Sequence, residues 1–206
     1  MDYSRKQRRV AIFQRYLQLL NGPWHRPASI AFVVIVIAHL TEHVLQAVQL
    51  FLLHWPRELC RGGLGYVYPW LVTSEWLHYL YALIMLLGLL VLRPAYQGRA
   101  GFWWDTALVI QVWHLFEHGL LLGQALAGYN LFGSHVPTSV LQFLVPRIEL
   151  HLFYNGVVLG PMLIAMTYHI LPAPNERPAC DCANLILVRS RQQGNDLNEA
   201  ANNYWL

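Results

Sequence analysis

Four long apolar segments constrain the fold of this chain more than any other feature of its sequence. They cover residues 29–53, 74–92, 102–126 and 147–170. Each is long enough to cross the roughly 30 Å hydrocarbon core of a bilayer as a helix of about 20 residues. The segments are too long for strands and lack the alternation of apolar and polar residues that strands show. We therefore predict an all-α integral membrane protein whose four transmembrane helices pack as a bundle.

The composition agrees with a membrane location. Of the 206 residues, 56% are hydrophobic and 12% are charged, whereas a soluble domain is about 45–50% apolar and about 25% charged. Such a chain lacks the charge that a water-facing surface needs. The same values exclude an intrinsically disordered chain, and an odd number of cysteines, three, gives no disulfide framework.

Basic residues are concentrated at the N-terminus, where they are interspersed with apolar ones. The five are Arg5, Lys6, Arg8, Arg9 and Arg15. This pattern predicts, within residues 1–28, an amphipathic helix that lies on the membrane surface and contacts lipid rather than nucleic acid. Arginines also occur between the second and third segments and in the polar tail, residues 172–206. The positive-inside rule therefore places both termini in the cytoplasm, in a multi-pass protein of the plasma or inner membrane.

One five-residue motif occurs twice. Residues 39–43 read HLTEH and residues 114–118 read HLFEH, an offset of 75. The following segments also match, since residues 77–81 read LHYLY and residues 150–154 read LHLFY. A duplication of this kind predicts two parallel helical-hairpin repeats, in residues 29–93 and 102–171. Parallel repeats are related by an axis along the membrane normal.

Polar side chains on the predicted spans indicate a metal site. On an α-helix, both copies of the motif place their two histidines and their glutamate in one sector about 120° wide. Ionisable groups this deep in a membrane are costly and face the bundle interior. The predicted metal ligands are His39, His43, His78, His114, His118 and His151. The predicted catalytic residues are Glu42 and Glu117, which bridge metal ions or move protons.

The residue types leave the metal and the reaction open. Imidazole and carboxylate ligands suit iron, copper and zinc alike. The preferred function is a membrane metalloprotein with one or two ions and redox or oxygen-activating chemistry on an apolar substrate; with zinc, it would be a hydrolase. One alternative is a b-type haem electron-transfer subunit, in which histidine pairs hold haem b. Another is a non-catalytic subunit or metal carrier of a larger membrane complex.

The remaining polar residues receive simpler interpretations. Histidines without a counterpart in the duplication are interpreted as interfacial: His25, His54, His135 and His169. Glu75 and Glu149 begin two spans, where a carboxylate suits a helix N-terminus. Three glutamines, Gln46, Gln49 and Gln124, are interpreted as hydrogen-bonding groups between helices. The C-x-C pair of Cys180 and Cys182 is a weak metal or redox motif, and its role stays open.

Overall fold

The computed structural model describes residues 2–173, 176, 180 and 182, apart from the side chains of residues 2–4 and 132. Within this part of the chain all regular structure is helical. The α-helices are α1 (Asp2–Asn21), α2 (His25–Ala47), α3 (Leu64–Val67), α4 (Trp70–Thr73), α5 (Glu75–Leu92), α6 (Gly98–Ala127) and α7 (Arg147–Ile170). A π-helical turn, Val48–Leu52, continues α2. The prediction of an all-α chain is therefore confirmed for the described residues.

In the described part of the chain, three helices are long and apolar enough to cross a membrane: His25–Leu52, Glu75–Ala95 and Arg147–Ile170. They correspond to the first, second and fourth predicted spans. Helix α6 has 30 residues and contains the third predicted span, but it does not belong to this group. Its hydropathy is lowered by polar residues from its middle onward, namely Gln111, His114, Glu117, His118 and Gln124.

Local sequence signals explain where the long helices begin and end. Helix α2 starts four residues before the predicted span, and Pro27 lies in its first turn, where the missing N–H of proline costs no hydrogen bond. The Ser74 hydroxyl caps α5 by accepting a hydrogen bond from the Leu77 N–H. Helix α6 ends at Ala127 and is followed by Gly128, whose φ of 68° is the left-handed conformation common at helix C-termini.

The four long helices after α1 pack side by side. Helix α2 contacts α7 and α5, and α6 contacts the same two helices. Helices α2 and α6 therefore lie diagonally opposite each other, as do α5 and α7. Helix α1 contacts α2 and α5, and the side chain of its last residue, Asn21, hydrogen-bonds to the Val91 carbonyl and the Ala95 N–H.

The interior has an apolar half and a polar half. The apolar half lies toward the start of α2 and contains fully buried Leu89, Trp104 and Met162. The Trp104 indole donates to the Leu89 carbonyl at 2.8 Å and stacks on Tyr96, with ring centroids 3.8 Å apart. The polar half lies toward the α2–α5 and α6–α7 connections, and it contains the six histidines predicted as metal ligands.

The outer surface of these helices is apolar. Large hydrophobic side chains such as Val34, Leu87, Val109 and Phe153 are at least half exposed. An apolar surface of this extent is unusual for a monomeric water-soluble protein. It suits contact with lipid chains, in agreement with the three candidate spans.

Candidate metal centre

The six predicted histidines lie close together in the polar half of the interior. Helix α2 contributes His39 and His43, α5 His78, α6 His114 and His118, and α7 His151. We call these six side chains the histidine cluster. Within α2 the two ring centroids are 4.4 Å apart, and within α6 they are 4.6 Å apart. In both pairs the i, i+4 spacing places the rings on one helix face.

Rings from different helices complete the cluster. The centroid of His151 lies 5.3 Å from that of His43 and 5.2 Å from that of His118. The centroid of His78 lies 5.9 Å from His118 and 5.8 Å from His151. Two imidazoles on one ion, with metal–nitrogen bonds of about 2.0–2.1 Å, have ring centres about 4.5–5.5 Å apart. The observed separations are therefore close to those of histidines that share an ion.

Backbone carbonyls orient two of the rings. The Nδ1 atom of His78 donates to the Ser74 carbonyl at 2.9 Å, and Nδ1 of His151 donates to the Arg147 carbonyl at 2.7 Å. A carbonyl only accepts, so Nδ1 must carry the proton and Nε2 the free lone pair. Metal-binding histidines are held by outer partners in the same way.

Several ring nitrogens in the cluster are buried without a partner. Nε2 of His151 and Nδ1 of His114 and His118 form no hydrogen bond with the described residues. Buried polar atoms in proteins are nearly always paired. Buried, unpaired imidazole nitrogens are suitable ligands for a transition metal, and the assignment of the six residues as ligands stays a prediction.

Glu42 directs its carboxylate toward the α2–α5 connection. It accepts hydrogen bonds from the backbone N–H groups of Gly63, at 2.8 Å, and Leu64, at 3.0 Å. Gln49 binds the same loop through the N–H and carbonyl of Gly62, at 2.8 and 3.0 Å. Gly62 has a φ of 74°, and a Cβ there would meet the Glu42 carboxylate. Glu42 therefore holds a tight turn in place.

Glu117 holds the α6–α7 connection in the same manner. Its carboxylate accepts from the Ser139 hydroxyl and the Leu141 N–H, both at 2.9 Å. Gln124, seven residues later, donates to the Thr138 carbonyl at 3.0 Å. The glutamates of both motif copies therefore bind loop backbone or hydroxyl donors. Their contacts favour a positioning role, and their predicted catalytic role stays a prediction.

Replacement of Glu117 by glutamine is expected to loosen the α6–α7 connection and to leave the metal content unchanged. The amide can accept only one of the two hydrogen bonds, and an unsatisfied buried donor costs about 1–3 kcal/mol. The rate of limited proteolysis within residues 128–146 measures how mobile this connection has become. The matched variant Glu42→Gln tests the other loop, and loss of metal from either variant would favour direct ligation instead.

The glutamates at the span starts form ion pairs between the hairpins. Arg147 binds Glu75 through two hydrogen bonds of 2.6 and 2.9 Å, and Arg57 binds Glu149 through two of 2.8 and 2.6 Å. Both glutamates lie in a first helical turn, as the cap interpretation requires. The structure adds bidentate arginine partners that sequence spacing does not indicate.

A cavity of about 400 Å³ lies between α2 and α5, next to three histidines of the cluster. His39, His43 and His78 line it together with apolar residues that include Ala38 and Leu71. Two more lining residues, Ile35 and Leu64, are exposed on the outer surface. The cavity therefore joins the histidine cluster to the apolar flank of the protein.

Among the described residues, a second group of potential ligands lies at the end of the helices away from the histidine cluster. It consists of His25, His169, Cys180 and Cys182, whose ligand atoms all lie within 4.8 Å of one another. We call it the His–Cys group. His25 is 1% exposed and His169 is 6% exposed, so both side chains are buried inside the protein, and their interfacial depth stays a prediction. Cys180 and Cys182 lie close to His25 at the start of α2. In the sequence, only the C-x-C motif indicates this contact.

The described structure fits the general class of membrane metal proteins. The helices long and apolar enough to span a membrane and the His–Cys group both fit this class. No protein-family model, no curated protein and no solved structure matches the chain. The function must therefore be argued from the geometry of the two groups.

Proposed function

We propose that this chain is an integral membrane oxidoreductase with two transition-metal ions in the histidine cluster, acting on an apolar molecule from the bilayer. The proposed fold is a four-helix transmembrane bundle of two hairpin repeats, with both termini cytoplasmic. One observation carries the proposal. Six imidazoles from four helices lie with neighbouring ring centroids 4.4–6.0 Å apart, in the interior of a protein whose surface is apolar.

Two matching triads support two ions rather than one. The first consists of His39, His43 and His151, and the second of His114, His118 and His78. In each triad the last imidazole comes from the other hairpin, and it contacts the second histidine of the motif at 5.3 or 5.9 Å. Three histidines form a common ligand set for a catalytic ion and leave coordination positions for other molecules.

Matching contacts elsewhere support the proposed repeats. The His39 ring stacks on Tyr81, with centroids 3.7 Å apart, and the His114 ring packs on Tyr154 at 4.5 Å. Both tyrosines end the second duplicated segment, at equivalent positions. The diagonal placement of α2 opposite α6 is also what a twofold relation between parallel hairpins requires.

The two faces of α6 support its role as a membrane span, the third in chain order. Its polar residues from the middle onward are buried, and the Gln111 amide donates to the Ala82 carbonyl at 2.9 Å. Its outward side chains include Val109, Val112 and Phe116, each at least half exposed. A helix with a polar inner face and an apolar outer face can cross a bilayer despite a lower mean hydropathy.

The space between the histidine pairs of the two hairpins favours metal ions over a haem held between those pairs. Among the described residues, one cavity lies beside His39 and His114 and another beside His118 and His151, and each holds about 10 Å³. A volume of this size is about that of one water molecule and is far too small for a porphyrin. The closed apolar core of Leu89, Trp104 and Met162 likewise opposes a metal-carrier path through the bundle.

Residues of this chain set the protonation of two predicted ligands and the route to the histidine cluster. The Ser74 carbonyl accepts a hydrogen bond from Nδ1 of His78, and the Arg147 carbonyl accepts one from Nδ1 of His151. Both imidazoles therefore keep Nε2 unprotonated. The cavity between α2 and α5 has lining residues on the apolar flank, and an apolar molecule enters it from the lipid side. A bound pair of iron or copper ions supplies one-electron transfer and oxygen chemistry.

Purified protein tests this proposal. Elemental analysis is expected to find iron or copper, and zinc in the histidine cluster would favour a hydrolase. A hydrophobic hydroquinone in detergent micelles is the probe: it loses two electrons and two protons to become the quinone, and dioxygen accepts them. The loaded protein is expected to catalyse this reaction, whereas equal rates with metal-free protein would contradict the proposal.

Replacement of Ala38 by tryptophan is expected to lower quinone formation severalfold and to leave the metal content unchanged. The indole would fill the cavity between α2 and α5, where Ala38 is a lining residue. Ile37→Trp is the matched control, because Ile37 is exposed on the same helix and does not line the cavity. Equal rates for the two variants would show that the substrate enters elsewhere.

A further inference from the structure

The His–Cys group is separate from the histidine cluster in space and in chemistry. His25 begins α2, and His169 lies in the last turn of α7. His39 is fourteen residues further along α2, which at about 1.5 Å per residue is a distance of about 21 Å. The His–Cys group also contains two thiols, whereas the histidine cluster contains imidazole only.

The thiol of Cys180 has partners suited to a thiolate. Nε2 of His169 lies 3.1 Å from its Sγ atom, and the backbone N–H of Cys182 donates to the same sulfur at 3.2 Å. Hydrogen bonds from the backbone stabilise negative charge on a ligand and fix its direction. Cys180 is also buried, so its sulfur is shielded from solvent.

The two imidazoles of the group are also held in place. Nε2 of His25 hydrogen-bonds to the Ser29 hydroxyl at 3.3 Å, and its Nδ1 atom is buried without a partner among the described residues. The ring of Tyr96 packs against both imidazoles, with centroids 5.5 Å from His25 and 4.7 Å from His169. An unpaired buried nitrogen beside two thiols is a suitable fourth ligand.

We infer that the His–Cys group binds one structural Zn²⁺ ion, with His25, His169, Cys180 and Cys182 as its four ligands. Tetrahedral zinc with two sulfur and two nitrogen ligands has neighbouring donor atoms about 3.3–3.8 Å apart. The four donor atoms already lie within 4.8 Å of one another, so small side-chain movements complete the site. Four protein ligands leave no open position, which is typical of structural zinc.

The role of this ion is to cross-link the chain after α7 to the start of α2. The ligands come from the first residue of α2, the last turn of α7 and the segment beyond it. The ion thereby links the two hairpins at the end of the helices that lies away from the histidine cluster. This inference does not depend on the proposed oxidoreductase function, since no ligand is shared.

Cobalt substitution of the full-length protein tests the inference. Metal is removed with a chelator under reducing conditions and Co²⁺ alone is added. One equivalent is expected to produce a thiolate-to-cobalt charge-transfer absorption, which nitrogen ligands do not produce. The band is expected to disappear in the double variant Cys180→Ser/Cys182→Ser and to persist in Cys60→Ser. Zinc analysis is expected to find one ion fewer in the double variant than in the unaltered protein.

The possible results separate the two metal sites. A variant of the histidine cluster is expected to keep the charge-transfer band, and the double cysteine variant is expected to keep its iron or copper. A helical circular dichroism spectrum equal to that of the unaltered protein shows that the double variant folds. Absence of the band in the unaltered protein, or its persistence in the double variant, would overturn the inference. Copper(I) in place of zinc would overturn the structural assignment.

Discussion

Replacement of His43 and His118 together by glutamine is expected to remove both metal ions from the histidine cluster. Each residue is the second histidine of its motif, and each is 4% exposed. Their rings contact one α7 imidazole, His151, at 5.3 and 5.2 Å. Loss of an outer partner of a metal ligand costs about 10–100-fold in affinity, and loss of a ligand itself costs more. Elemental analysis of the purified variant measures the result.

The single variants determine how the ions are shared. His43→Gln and His118→Gln are each expected to retain one of the two ions, because each removes a ligand from a different triad. His135→Gln is the control, since His135 is exposed in the α6–α7 connection, and its metal content is expected to equal that of the unaltered protein. Loss of both ions from each single variant would indicate one shared centre. Full metal content in the double variant would refute the ligand assignment.

Replacement of Trp104 by alanine is expected to destabilise the fold by about 3–5 kcal/mol, the usual range for a large buried aromatic. Trp104 is 1% exposed, stacks on Tyr96 and donates to the Leu89 carbonyl. Lipid chains are as apolar as this core, so association of helices in a membrane depends on close packing. A cavity in the apolar half would therefore remove much of the packing energy between α5 and α6.

Equilibrium unfolding in mixed micelles measures this effect. Phe102→Ala is the control, because Phe102 is a large aromatic residue of the same helix and is 65% exposed; surface substitutions usually change stability by about 0.5 kcal/mol or less. The Trp104 variant is expected to bind metal normally once folded, because His114 lies about 15 Å further along the helix. Equal stability of the two variants would show that the apolar half does not carry the fold.

Much of the local structure is predictable from the sequence. Helix α7 covers exactly the predicted residues, and α5 differs from its predicted span by one residue, because apolar length and the Ser74 cap are local signals. The spacing of the motif also predicts that His39 and His43 share a face, since side chains four residues apart on a helix are neighbours. Helix α6 differs from the other three predicted spans, because its buried polar residues lower its hydropathy and it is not among the candidate spans of the described residues.

The sequence by itself determined the helices, their apolar surface and the polar face of each motif, because these depend on residues a few positions apart. Only the tertiary structure decided which helices are neighbours and what each polar group contacts. Glu117 meets Ser139 across a loop, and His25 meets Cys180 from the far end of the chain. Such contacts depend on loop conformation and helix order, which are set by the packing of the whole chain and leave no periodic pattern in its sequence.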